Sequence, residues 1–103
     1  MSGRFVILEH VGHGEDHFDL MLAVGEVLAT WQFDRWPDEG SVGRPLADHR
    51  VAYLTCEGPI SGGRGEVRRI AEGTFDIVSE SSDDWRVALD DGATVTTLSL
   101  PLS

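Results

Sequence analysis

Turn-forming residues interrupt this sequence at short intervals. Glycine, proline and aspartate recur roughly every eight to fifteen residues, for example at Gly12, Gly25, Gly58 and Gly92. Between them, no apolar pattern with a helical period continues for more than about two turns. The sequence therefore predicts an all-β or mainly β protein: a small antiparallel β-barrel or strongly curved sheet with little helix. Closing the sheet would hide the edge strands of such a small domain.

Two segments carry the signature of a β-hairpin. Apolar residues alternate with His17, Asp19 and Met21 over 17–24, which predicts a strand with one apolar and one polar face. A tight turn at Gly25-Glu26 leads into a returning strand over 27–33, and a second turn at 90–92 joins two strands near the end of the chain. We expect 34–47 to be a loop, and 66–70 and 74–79 to be separate strands around Glu72-Gly73.

Length and charge limit the classes of function. The 103 residues fit one domain over 1–103. Eight basic and eighteen acidic residues give a net charge of −10, so we expect no extended binding to duplex DNA and only local contacts with any nucleic acid. No apolar stretch approaches the roughly 18 residues of a membrane span, and no signal peptide is evident at the N-terminus. The single cysteine, Cys56, fits a reducing, cytoplasmic location.

Three residues near the N-terminus form a candidate metal site. His17 and Asp19 are two residues apart on a predicted strand, so their side chains leave the same face, and a short loop can bring His10 alongside. Two imidazoles and a carboxylate suit Mn²⁺, Zn²⁺ or Fe²⁺. His13 is a fourth candidate in a glycine-flanked position. The alternative is a pair of exposed loop histidines beside a surface aspartate.

A second group of functional residue types follows. Arg44, Asp48, His49 and Tyr53 place a cation, a carboxylate, an imidazole and a phenol within ten residues. Arg35 and Arg44 are candidates for binding a phosphate, and His49 for a general acid or a hydrogen-bond donor to phosphate. The alternative is that these are ordinary polar residues of a solvent-exposed loop.

The order of these motifs resembles a known family. The motifs are Phe5–His10, His17–Leu22, Thr30–Arg35, Arg44 with Asp48–Tyr53, and Cys56–Gly65 followed by Gly73–Phe75. In this order they resemble the F-V-I-x-x-H, H-Y-D-x-R-L-E, S-W-A-V-P-K-G, R…D-H-P-x-x-Y and glycine-rich motifs of the 3′-phosphoesterase domain of bacterial DNA ligase D. The resemblance spans nearly the whole chain, with shortened loops, and it depends on the shared order rather than on any single motif.

The resemblance implies a specific activity. It implies a manganese-preferring β-barrel phosphoesterase that removes 3′-phosphates and 3′-ribonucleotides from DNA ends during repair. The partner would be a DNA 3′ end or another phosphorylated ligand, and the metal would be Mn²⁺, with Zn²⁺ as a second choice. The implied metal ligands are His10, His17 and Asp19. The implied active-site residues are His49, Arg35, Arg44 and Tyr53.

The chain departs from the family pattern at important positions. The segment between His10 and His17 is one residue longer, and Met21 stands where the resemblance places a phosphate-binding arginine. Methionine supplies no charge and no bidentate hydrogen bond. A working phosphoesterase would therefore need Arg35, Arg44 or Arg64 in the same space, with Arg35 the first choice. The alternative is a non-catalytic metal-binding or protein-interaction relative that kept the barrel.

Overall fold

The structure is a computed structural model that describes residues 2–12, 14–50 and 65–102, together with the backbone of 58–59. Within these residues there are strands and turns but no helix. The strands are β1 (Ser2–Val11), β2 (His17–Val24), β3 (Val27–Phe33), β4 (Arg44–Arg50), β5 (Gly58–Pro59), β6 (Glu66–Glu80), β7 (Asp84–Asp90) and β8 (Val95–Pro101). The described part of the chain has no helix that could cross a bilayer.

All strands belong to one antiparallel sheet whose two ends approach each other. The order is β4-β3-β2-β1-β6-β7-β8, and β5 pairs with β6 outside this path. Although β4 and β8 are at opposite ends of this order, they are in contact, and Val42 forms a parallel bridge to Ser99. The Trp31 indole Nε1 also donates a hydrogen bond of 2.6 Å to the Pro101 carbonyl oxygen. The sheet is a strongly curled half-barrel, which confirms the predicted all-β, strongly curved sheet.

The main hydrophobic core fills the inside of the curl. It draws on six strands, because each strand sends alternate side chains inward. Its members are Phe5, Ile7, Leu20, Leu22, Trp31, Phe33, Phe75, Val87, Leu89, Leu98 and Leu100.

A second, smaller apolar cluster lies on the opposite face of β1, β2, β3 and β6. It consists of Val6, Leu8, Met21, Leu28 and Val67. We call this side of the sheet the second face. The expectation of a polar face on β2 was wrong in this respect, because the four middle residues of the strand are buried whichever way they point. The reason is that β2 is an inner strand with an apolar cluster on each side.

The two predicted hairpins are present. Val24 pairs with Val27 across a two-residue turn in which Gly25 has a φ of 62°, a left-handed conformation that glycine adopts without steric cost. Asp90 pairs with Val95, and the turn between β7 and β8 contains Gly92. The Asp91 carboxylate accepts hydrogen bonds from the backbone amides of Ala93 and Thr94 and so closes this turn. These contacts also lower the pKa of Asp91.

Two predicted boundaries were wrong. Residues 44–47 belong to β4 rather than to a loop. Residues 44–46 pair with 30–32 of β3, and residue 47 lies in the irregular step that follows. Residues 66–80 form one long strand rather than two. Gly73 does not make a turn there; it allows a close approach, because a Cβ atom at this position would overlap the backbone oxygen of Asp90.

Candidate metal centre

The loop end of the β1–β2 hairpin brings the three predicted ligands together. His10 and His17 are direct cross-strand partners, and their ring centroids are 4.9 Å apart. Asp19 is two residues further along β2 on the same face, with its Oδ2 atom 3.5 Å from His17 Nε2. One ligand atom from each residue can be chosen so that all three lie within 4.8 Å of one another. Antiparallel pairing of two neighbouring strands is therefore sufficient to assemble the site.

A backbone contact selects the ring nitrogen that His17 presents to the site. His17 Nδ1 lies 3.0 Å from the carbonyl oxygen of Glu15. A carbonyl oxygen only accepts hydrogen bonds, so Nδ1 must carry the proton, and neutral His17 has its lone pair on Nε2. Metal-binding histidines usually donate their second ring N–H in this way, which fixes the orientation of the ligand nitrogen. His17 is thus arranged as a ligand through Nε2.

Asp19 is a buried carboxylate with incomplete hydrogen bonding. Its relative exposure is 6%, and among the described residues its Oδ1 atom has no hydrogen-bond partner. Burial raises the pKa of the Asp19 carboxyl above its usual value, and the charges of His17, His49 and His10 offset only part of this rise. An unsatisfied buried carboxylate oxygen destabilises a folded protein. A cation bound at this position would remove that penalty.

The donor set suits a transition metal ion, and the His17–Asp19 separation fits tetrahedral coordination. Two imidazole nitrogens and one carboxylate oxygen suit Mn²⁺, Fe²⁺ or Zn²⁺ and leave coordination positions for water or substrate. Ligands about 2.0–2.2 Å from a tetrahedral ion lie roughly 3.4 Å apart. The 3.5 Å separation of His17 Nε2 and Asp19 Oδ2 matches that value.

His49 reaches the second face because of a β-bulge. Thr30 pairs with Leu46 and Leu28 pairs with His49, so β4 has two residues where β3 has one. The bulge therefore places Leu46 and His49 on the same face, whereas a regular strand would place Asp48 there. His49 Nδ1 lies 2.9 Å from the Thr30 hydroxyl oxygen. Leu28 and Gln32, the β3 partners of His49 and Asp19, point to the same side of the sheet, so His49 shares the face of Asp19 from two strands away.

The predicted arginines lie in different places. Arg44 pairs with Gln32, and Gln32 pairs with Asp19, so the three residues form one row across neighbouring strands. Arg44 is the exposed end of this cross-strand row. Arg35 follows the end of β3 and lines a cavity of about 230 Å³ with Phe33 and Ser41. None of the three metal ligands lines that cavity. Arg44 is therefore better placed than Arg35 to approach a ligand at the metal site.

Met21 is a buried apolar residue and does not line a polar pocket. It lies on the face of Asp19, as predicted, but it is 1% exposed within the second apolar cluster. At this position the chain therefore has neither the charge nor the exposure of the arginine that the resemblance implied. Tyr53, Arg64 and His13 lie outside the described residues.

Thr30 and Gln32 were missed by the sequence reasoning. Both belong to β3 and are the cross-strand partners of Met21 and Asp19. Their positions follow from the predicted turn, because pairing of Val24 with Val27 fixes every later pair along the hairpin. Register counting across Gly25-Glu26 is thus the signal that would have found them.

Comparison with known proteins does not assign the chain to a family. No protein-family model matches it, and no curated protein matches it.

Proposed function

We propose that His10, His17 and Asp19 bind a divalent metal ion, Mn²⁺ in the first place and Zn²⁺ as the alternative. The observation that carries this proposal is the buried Asp19 Oδ1 atom, which lacks a hydrogen-bond partner among the described residues and lies beside two imidazoles. A divalent ion would supply the missing partner, and the orientation of His17 already directs Nε2 to the site.

The proposed reaction is hydrolysis of a phosphoester at a 3′-phosphate or 3′-ribonucleotide end of DNA. A bound divalent ion polarises a phosphoryl oxygen and lowers the pKa of a coordinated water. Protonated His49 can donate a hydrogen bond to phosphate or a proton to the leaving oxygen. Arg44, in the same cross-strand row as Asp19, offers a bidentate donor to the phosphate. The net charge of −10 favours a short, local contact with a strand end over binding along a duplex.

Titration calorimetry with Mn²⁺ and Zn²⁺ tests the metal site. We expect one ion per chain, with affinity reduced about 100-fold or more in His17→Ala and Asp19→Ala, because each variant removes a direct ligand. Asp76→Ala is the matched control, since Asp76 is an exposed aspartate on β6. Equal affinity of the wild type and both ligand variants would contradict the proposed site.

A 3′-phosphorylated DNA primer tests the reaction. With Mn²⁺ we expect release of inorganic phosphate and a 3′-hydroxyl end, and loss of this activity with EDTA or in His17→Ala. His49→Ala should lower the rate by about 100-fold or more if His49 is the general acid. Activity that survives EDTA would exclude the metal-dependent mechanism.

A non-catalytic metal-binding protein is the second candidate. The burial of Met21 favours it, because that side chain cannot contact a phosphate where the family resemblance requires an arginine. This candidate predicts metal affinity at His10, His17 and Asp19 without turnover of 3′-phosphate or 3′-ribonucleotide ends. The calorimetry and the primer assay together separate the two functions.

A further inference from the structure

Thr30 makes two hydrogen bonds that together determine the protonation of a neighbouring imidazole. Its hydroxyl oxygen lies 2.9 Å from the Leu28 carbonyl oxygen and 2.9 Å from His49 Nδ1. A hydroxyl has one proton to donate, and a carbonyl oxygen can only accept. The Thr30 proton must therefore go to Leu28, which leaves the Thr30 oxygen as the acceptor for His49.

It follows that His49 Nδ1 is the donor in its contact with Thr30. In the neutral imidazole the second nitrogen, Nε2, then carries the lone pair. Thr30 is 2% exposed, so water has little access to compete for its hydroxyl group. The arrangement depends on the bulge in the β3–β4 pairing, which turns His49 rather than Asp48 to the second face.

We propose that Thr30 is a positioning residue that holds His49 in the Nδ1–H tautomer, so that Nε2 is the nitrogen that exchanges a proton or hydrogen bond with a ligand at the metal site. The two hydrogen bonds that run from His49 through Thr30 end at the Leu28 backbone carbonyl, which cannot take up a proton. Thr30 therefore orients the imidazole without removing its Nδ1 proton, and proton exchange is confined to Nε2. The catalytic consequence rests on the proposed phosphoesterase function, whereas the tautomer itself does not.

Long-range ¹H–¹⁵N correlation spectra of the metal-free protein test the tautomer directly. His49→Gln identifies the His49 signals by their disappearance. At a pH where His49 is neutral, we expect a protonated Nδ1 and an unprotonated Nε2 in the wild type. Thr30→Val, which keeps the shape but removes the hydroxyl, should shift the population toward Nε2–H. Thr30→Ser should restore the Nδ1–H form.

The wild-type spectrum is decisive even if Thr30→Val does not fold. A wild-type His49 with its proton on Nε2 would overturn the proposal, as would a folded Thr30→Val variant with an unchanged tautomer. In the primer assay, Thr30→Val should lower kcat at least about tenfold while Mn²⁺ affinity stays the same, because no metal ligand is altered. An inactive wild type with the expected tautomer would refute the phosphoesterase function and leave the role of Thr30 intact.

Discussion

At the scale of single residues, the site combines two imidazoles suited to metal binding with the Asp19 carboxylate, which is costly to bury. Asp19 has little exposure, and its pKa is raised by burial despite three neighbouring histidines. Such a carboxylate reduces the stability of the metal-free protein, and metal binding would recover that stability. Selection for stability alone would favour a neutral side chain at this position.

Asp19→Asn should therefore stabilise the metal-free protein. Because the folded-state pKa lies above the usual value of 3.8, the contribution of Asp19 to stability is full below pH 3.8 and is lost as the pH rises through the folded-state pKa. In EDTA, we expect the variant to melt at a higher temperature than wild type near neutral pH, with the difference shrinking toward about pH 3. Thermal unfolding followed by circular dichroism measures this. A difference that does not change with pH would argue against the buried carboxylate as its cause.

Met21→Arg tests whether the family arginine can simply be restored. The guanidinium would enter the cluster of Val6, Leu8, Leu28 and Val67, and we expect a loss of about 3 kcal/mol or more in the free energy of unfolding. Urea unfolding measures the loss. Met21→Leu is the control, because it conserves volume and should cost less than about 1.5 kcal/mol. Equal stability of the two variants would show that this face tolerates a charge.

At the scale of elements, close packing between neighbouring strands explains why β6 is continuous. Gly73 lies where β6 meets the end of β7, and the space for a side chain is already occupied by the Asp90 backbone. A glycine that looks like a turn in the sequence is instead required for the approach of two strands. The result is one long strand that pairs with both β1 and β7.

Gly73→Ala should consequently disrupt the junction of β6 and β7. We expect the free energy of unfolding to fall by about 1–3 kcal/mol or more, because the backbone of Asp90 must move to admit a methyl group. Thr74→Ala provides the control, since Thr74 is the next residue and is exposed. Denaturant unfolding of both variants gives the comparison, and a Gly73→Ala variant as stable as Thr74→Ala would refute the steric explanation.

At the scale of the whole molecule, the curl of the sheet matters as much as its pairing. Trp31 on β3 donates a hydrogen bond to Pro101 at the end of β8, although these strands are far apart in the sheet order. The indole ring also packs against Trp85 inside the half-barrel, with ring centroids 6.0 Å apart. Trp31 therefore connects the two sides of the curl through both packing and a polar contact.

Trp31→Phe should weaken this connection. The ring stays apolar but the Pro101 carbonyl loses its donor, so we expect a loss of about 1–3 kcal/mol in the free energy of unfolding. Trp85→Phe is the matched control, because it shrinks the other ring of the same pair and leaves the contact of Trp31 with Pro101 intact. If both variants lose the same stability, packing alone accounts for the role of Trp31.

The sequence by itself determined the features that depend on local geometry. Period-two alternation and the turn at Gly25 predict the β2–β3 hairpin, and the two-residue spacing of His17 and Asp19 places both on one face. Cross-strand pairing of His10 with His17 needs only a short loop between adjacent strands. These relations hold because strand geometry repeats every two residues, whatever surrounds the strand.

Only the tertiary structure decided which of these groups are buried and which distant residues join them. Met21 and Asp19 share a face that alternation predicts to be polar, yet both are buried because an apolar cluster forms on each side of β2. His49 faces the same side because of a bulge that shifts its strand by one residue, which periodicity cannot show. Burial and bulges arise from packing between strands that are far apart in the chain, so they appear only when the whole sheet is assembled.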